Sequence, residues 1–472
     1  MPVGGERSGR KPTGAPASPV APGRAPGSPL AVPPAWLPLS WLAAAGIGLV
    51  GLGIALAAAA ETVVSTPQAP TALATAHLAM LAFATTAVLG AAHQFGPVVA
   101  GRRLRSATAG LFTLVLWVPA AWLLAFAFAT RRPALLEIAG VTAFSAVCLA
   151  AWNLSGPLLR RGRGTPVLGL RLAVVYLVVT AAFGATYAFD IHHGWFLLFP
   201  RRVLAHAHLG LVGWIGLAYV AVAEKLWPMF LLAHRPSAKA GDWAVRLIAS
   251  GVPLIAIGLL IPWRPMTWLG ALVVVAGLGS HLVSLSQVIR HRRRRLELLH
   301  AFVLGSAAML VVAVWAALAA GAFDLSTTLR TRAVQTEVLA LTFWVTLAIV
   351  GHLHKIVPFI SWSRLRAGGH TRSPEGKPLM FAHLYHGPTA RVTCVAALLA
   401  AVSGVIGVAG GHVVLVRISG VALAITGIAT TANLVNGPLH ILRVDARRAA
   451  EASVAAAVDE PQPDRVPVST AP

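Results

Sequence analysis

The chain has 472 residues, 57% of them hydrophobic and 11% charged, with a mean hydropathy of +0.74, a balance that argues against a soluble globular domain. Its formal net charge of +23 falls in clusters between apolar runs, so nucleic-acid binding is not needed to explain it. Only two cysteines occur, Cys148 and Cys394, each inside an apolar run, which speaks against a disulfide framework and against thiolate metal chemistry.

Residues 1–35 are rich in Pro, Gly, Ala and Ser, contain no signal-peptide apolar core, and read as a disordered cytoplasmic tail. Twelve runs of spanning length follow, near 36–60, 72–98, 107–129, 135–158, 168–189, 203–232, 244–262, 266–289, 297–321, 334–360, 388–408 and 413–437. The predicted fold is therefore an all-α polytopic membrane protein with the lipid bilayer as its first partner. Residues 446–472 are polar, contain proline, and read as a second disordered tail.

Basic clusters at Arg7/Arg10/Lys11, Arg102/Arg103/Arg105, Arg160/Arg161/Arg163, His234/Arg235/Lys239, Arg290 to Arg295, Arg364/Arg366/Arg372/Lys377 and Arg443/Arg447/Arg448 all share one side if twelve spans alternate. Arg131/Arg132, Arg201/Arg202, Arg264 and Arg330/Arg332 fall on the other. The positive-inside rule then puts both termini in the cytoplasm, in a multi-pass protein of the plasma membrane.

A repeat runs through the spans. HLAMLAFATTAVLGAAHQFGP (His77 to Pro97), HLGLVGWIGLAYVAVAEKLWP (His208 to Pro228) and VLALTFWVTLAIVGHLHKIVP (Val338 to Pro358) end on prolines spaced by 131 and then 130 residues. Four residues before each proline stands His93, Glu224 or His354, and two copies open on histidine. The first, fifth and ninth spans match at the same interval. The chain is thus predicted to hold three consecutive four-helix units, about 36–165, 166–296 and 297–445, all in one orientation because four is even.

Ionisable groups inside a span are costly, so the histidines carry the chemical information. Helical rise sorts them into an outer layer (His77, His192, His193, His206, His208, His412) and an inner one (His93, His281, His300, His352, His354, His440) that also holds Glu224. His77 and His93 lie about 24 Å apart along one helix and cannot serve one centre. In the outer layer, Arg201-Arg202 precede His206 and His208 on one helix. Imidazole is the usual axial ligand of haem iron, and two arginines at the helix mouth suit haem propionates. His206 and His208 point about 200° apart, and His208 is preferred because it matches His77. The alternative is a membrane-interface histidine bonded to a carbonyl or to water. His192 and His193, with His206 and His208, would make a nitrogen-rich copper site, or else lie solvated in a loop. Asp190 and Glu337 are candidate partners for Arg201 or Arg202. In the inner layer, His93 and His354 would sandwich a haem, or bind a metal with Glu224, if their helices converge on a pseudo-threefold axis. The alternative is that they are polar residues near a helix end where Lys225 and Lys355 reach for the surface.

Twelve spans in three sets of four, with histidines on the second, sixth and tenth, resemble the catalytic subunit of the haem–copper oxidase superfamily. RLAVVYLVVTAAFGATYAFD followed by RRVLAHAHLGLVGWIGL is similar to its cbb3-type and nitric-oxide-reductase-like members, and HLAMLAFATTAVLGAAHQFGP resembles the opening helix of the NnrS family. The resemblance implies bound haem b, with His77, His208, His93 and His354 as candidate ligands, copper nearby, and nitric oxide or oxygen as the small molecule. The seventh span, VRLIASGVPLIAIGLLI, lacks the histidine pair that the superfamily uses for copper. With no CxxCH motif and no dinucleotide fingerprint, electrons would come from a quinol or a partner cytochrome. A non-haem permease or a metal or haem assembly factor on the same scaffold is the other function class.

Overall fold

All twelve predicted spans are helices in the computed structural model, which describes residues 32–159, 164–234 and 237–458. They are α1 (Trp36–Ala58), α2 (Pro70–Ala100), α3 (Ala107–Ala129), α4 (Pro133–Leu158), α5 (Gly164–His193) and α6 (Pro200–Leu231). The second half comprises α7 (Lys239–Leu260), α8 (Arg264–Arg290), α9 (Leu298–Ala322), α10 (Thr327–Ala367), α11 (Gly387–Gly410) and α12 (Val413–Val458). Among the described residues there is no strand, only one isolated bridge between Arg372 and Pro378. The protein is an all-helical, multi-span membrane protein. The basic residues Arg160, Arg161, Arg163 and Arg235 and nearly all of the tail read over 1–35 lie outside the described residues.

Helix starts follow from local chemistry. Pro70, Pro133 and Pro200 occupy the first turn of α2, α4 and α6, where a missing N–H costs nothing. Ser106 caps α3 by accepting from the Ala109 N–H at 3.1 Å. Two helices outrun their apolar cores. The α10 helix begins at Thr327 behind a Ser326 cap and ends at Ala367, and α12 continues to Val458, past the 446 boundary read from polarity. Polar, helix-favouring residues extend both beyond the membrane stretch that hydropathy detects.

An even number of spans puts the start of α1 and the end of α12 at one face of the bundle, here the near face; the opposite one is the far face. Taken by fours, as α1–α4, α5–α8 and α9–α12, the helices meet at three seams. At the first, α4 lies against α5. At the second, Trp268 of α8 lies over Gly321 of α9. At the third, α1 lies against α12, where Gly53 and Gly420 let the two backbones touch: a Cβ at either would meet backbone of the other helix.

The α2 and α6 helices are the most enclosed of the twelve, and their middle segments pack on each other and on α10. Phe83, Trp214 and Trp344, spaced by 131 and 130 residues, are fully buried there. The Trp214 indole N–H donates to the Thr85 hydroxyl at 3.1 Å, and Gly216 lies under the Trp344 ring. Thr85→Val keeps the shape and orphans that N–H. The expected cost is about 1–3 kcal/mol, read as a lowered thermal midpoint in detergent, with Thr85→Ser restoring it.

Candidate functional site

His77 and His208 occupy the same place in two copies of the repeat, and the local backbone repeats with them. In α2 the α-helical segment Pro70–His77 gives way to a π-helical segment, Leu78–Thr85. In α6 the segment Pro200–His208 gives way to another, Leu209–Gly216. The Thr86 hydroxyl donates to the Leu81 carbonyl five residues back, at 2.8 Å, filling part of the first widened turn. In the third copy, where Val338 replaces the histidine, α10 has no π segment. Such segments widen a helix locally and concentrate at functional sites.

Both imidazoles are oriented alike. His77 Nδ1 lies 2.7 Å from the Leu73 carbonyl and His208 Nδ1 lies 2.8 Å from that of Leu204. A carbonyl only accepts, so Nδ1 carries the proton and a neutral ring presents its lone pair at Nε2. His77 stacks on Phe128 at 4.8 Å. His208 Nε2 lies 3.6 Å from a Glu337 carboxylate oxygen on α10, one residue before the matched Val338.

His206 turns the other way, as its spacing from His208 requires. It packs against α5 beside Gly184, with its ring at 5.8 Å from Tyr187. Its Nδ1 is buried without a hydrogen-bond partner. Superposition of the repeats selects His208 as the companion of His77. In the structure His208 lies beside Glu337.

The arginines sit at the mouth of this layer. Arg202 donates to the Leu197 carbonyl at 2.8 Å and lies over Phe196, while its own carbonyl accepts from the Tyr187 hydroxyl at 3.0 Å. Arg201 stacks on Phe199, with its Nε buried and without a hydrogen-bond partner. Neither expected carboxylate pairs with them. Asp190 accepts from the Phe196 N–H at 2.7 Å, and Glu337 faces His208. His192 and His193 meet Glu137 on α4, and no group of three potential metal ligands forms around His206 and His208 among the described residues.

At the near face, the matched triplet follows the repeat but packs into separate units. His93 stacks on Trp41 of α1 at 5.6 Å and lies against Gly110 of α3. His354 stacks on Phe302 of α9, also at 5.6 Å, where Phe302 is the repeat equivalent of Trp41. Glu224 lies against Gly241 of α7, the equivalent of Gly110, accepts from the Ser284 hydroxyl at 2.9 Å, and lies 3.5 Å from His281 Nδ1. The ring partners of His93 and His354 thus belong to their own units, and among the described residues no three-ligand group collects at this level. His93, His352 and His354 share a further property. Each has Nδ1 within 2.9 Å of the carbonyl four residues back, and each has Nε2 buried without a partner.

Further polar groups lie at this level. Glu297 pairs closely with Lys355 and its backbone N–H reaches His300 Nδ1 at 2.7 Å. Elsewhere the Tyr219 ring lies 6.0 Å from that of His352 and 5.6 Å from that of His281, beside Glu224. Tyr219 carried no signal in the sequence beyond a position five residues before Glu224. The aromatic triplet could have been found there, because Phe83, Trp214 and Trp344 each stand fourteen residues before a repeat proline.

No protein-family model matches this chain, and no curated protein matches its sequence. The class rests on the fold itself: a helical membrane protein with twelve apolar spans among the described residues, buried histidines toward the near face and half-buried ones toward the far face.

Proposed function

We propose that the chain is a haem-binding membrane protein, of haem–copper-oxidase-like architecture, that binds or reduces a diatomic gas such as nitric oxide or oxygen. The observation that carries this reading is the matched pair His77 and His208. Each has Nδ1 tied to its own helix, leaving Nε2 to face outward, toward Glu337 in the case of His208, and each opens a π-helical segment that the third copy lacks. A hydrogen bond from Nδ1 to a carbonyl is the arrangement that fixes the tautomer and orientation of a ligating histidine.

The residues present fit the group in donor chemistry. His77 would hold it from α2, with His206 or His208 from α6, and Arg201, whose Nε has no other partner, would receive a propionate. His93 and His354, stacked on Trp41 and Phe302, fit a second site less well, because both rings are enclosed. Haem, when bound, supplies an iron centre able to bind a diatomic ligand and to exchange electrons. Electrons would arrive from a quinol or a partner cytochrome. The basic clusters favour cytoplasmic termini in the plasma membrane. The test is a haem assay per chain on the detergent-purified protein. About one haem per chain is expected, and a colourless, folded protein contradicts the reading.

A second reading is favoured by one observation, the buried cluster of Glu224, Ser284, His281, Tyr219 and His352, which needs no cofactor. It would serve a permease or an assembly factor as a proton or metal relay. Under this reading Glu224→Gln in vesicles loses most proton-coupled flux without loss of fold. Unchanged flux would remove it.

A further inference from the structure

We propose that Glu137, His192 and His193 form a binding site for one borderline divalent transition-metal ion, zinc or copper(II), at the far face of the seam between α4 and α5. The site is distinct from the haem reading and does not rest on it.

The three side chains offer one ligand atom each, all within 4.8 Å of one another. Glu137 Oε2 lies 2.5 Å from His192 Nδ1 and 3.2 Å from His193 Nε2, and the two imidazole centroids are 4.4 Å apart. In a tetrahedral zinc site with bonds of about 2.0–2.1 Å, ligand atoms stand roughly 3.3 Å apart. Side-chain adjustments of about an ångström, well within rotamer freedom, would therefore admit the ion. Two nitrogens and one carboxylate oxygen are a donor set that zinc and copper(II) accept, with water as the fourth ligand. Room for that water exists, because the side chains of His192 and His193 are 38% and 43% exposed.

The ligands are also held. Glu137 stands one turn inside α4, behind Pro133. His192 and His193 are the last residues of α5, which ends at Gly194 with φ +67°. The Gly194 N–H donates to the Asp190 carbonyl and the Phe196 N–H to the Asp190 carboxylate, both at 2.7 Å, so the turn after the histidines is fixed. His193 lies beside Phe189 and Trp195, at 6.1 and 5.7 Å, in a cluster of three near-parallel rings that limits how its own ring turns. Carboxylate–imidazole contacts alone would need none of this support. Bound metal would clamp the first four-helix unit to the second at the point where the chain turns toward α6.

The test uses the full chain in detergent, stripped with a chelator, its haem content measured in parallel. Zinc is titrated calorimetrically and copper(II) by electron paramagnetic resonance. One equivalent of either ion is expected, with nitrogen couplings in the copper spectrum and a rise in thermal midpoint on binding. Changes outside the ligand set typically cost ~10–100-fold in metal affinity, so His192→Ala/His193→Ala should lose at least about 100-fold. Glu137→Gln, nearly isosteric and expected to fold, should weaken binding by at least about 10-fold. His291→Ala, on an exposed loop histidine, should change nothing. Absence of a saturable equivalent, or binding unaltered in both Glu137→Gln and the double variant, overturns the proposal and leaves the haem reading untouched.

Discussion

His77→Ala is expected to lower haem content to well under half of the unaltered protein while the chain still folds. The His77 ring is only half-buried, and its one hydrogen bond is to its own helix, so its loss costs stability of about 1 kcal/mol. An axial ligand has no substitute on α2 at that level, because the next histidine, His93, stands about 24 Å away along the axis. The partner variants divide the α6 histidines. If His206 is the companion, His206→Ala loses haem and His208→Ala keeps it; if His208 is, the reverse holds. Glu337→Gln sharpens the comparison. It removes the carboxylate 3.6 Å from His208 Nε2, and where His208 is the ligand haem occupancy rises or holds. Haem content equal to the unaltered protein in His77→Ala, His206→Ala and His208→Ala alike would remove the far-face assignment.

Gly53→Val is expected to damage the scaffold severely. A Cβ at Gly53 would run into the Ala424 backbone, and one at Gly420 into that of Ala57. Neither neighbour can rotate away, since both are main chain, so α1 and α12 must separate along the seam that joins the first unit to the third. Overpacking costs typically about 1–3 kcal/mol where side chains yield, and a backbone contact should reach or exceed the top of that range. Gly420→Val should do the same, and the double variant should cost less than the sum, because the seam opens once. Thermal unfolding in detergent reads the effect. Gly279→Val, where a Cβ meets nothing within 4 Å, serves as the control and should leave the midpoint unchanged.

Much of the scaffold was legible because membrane helices announce themselves by length and composition. All twelve spans are helices, and Trp41 and Phe302, 261 residues apart, stack on His93 and His354, while Gly110 and Gly241 lie against His93 and Glu224. The two π segments were not legible. They depend on how α2 and α6 pack against each other and carry no local signature, although both follow a matched histidine. The partners of the charged groups were equally hidden. Asp190 and Glu337 looked like counter-ions for Arg201 and Arg202 by depth alone, yet rotation about the helix axes decides such pairs. Asp190 caps a turn, Glu337 faces His208, and Glu137, which drew no notice as a single acid near a helix start, meets His192 and His193. Spacing did predict that His206 and His208 face different ways, and they do: His206 packs beside Gly184 and Tyr187 of α5, His208 beside Glu337 of α10.

The most direct measurement is the absorption spectrum of the detergent-purified full chain, oxidised and dithionite-reduced, before and after nitric oxide. A Soret band is expected at about one haem per chain, shifting on reduction, shifting again with nitric oxide, and lost in His77→Ala. A folded protein with no Soret band after expression with added haem precursor, or a band that His77→Ala and both α6 variants leave intact, would contradict the haem reading.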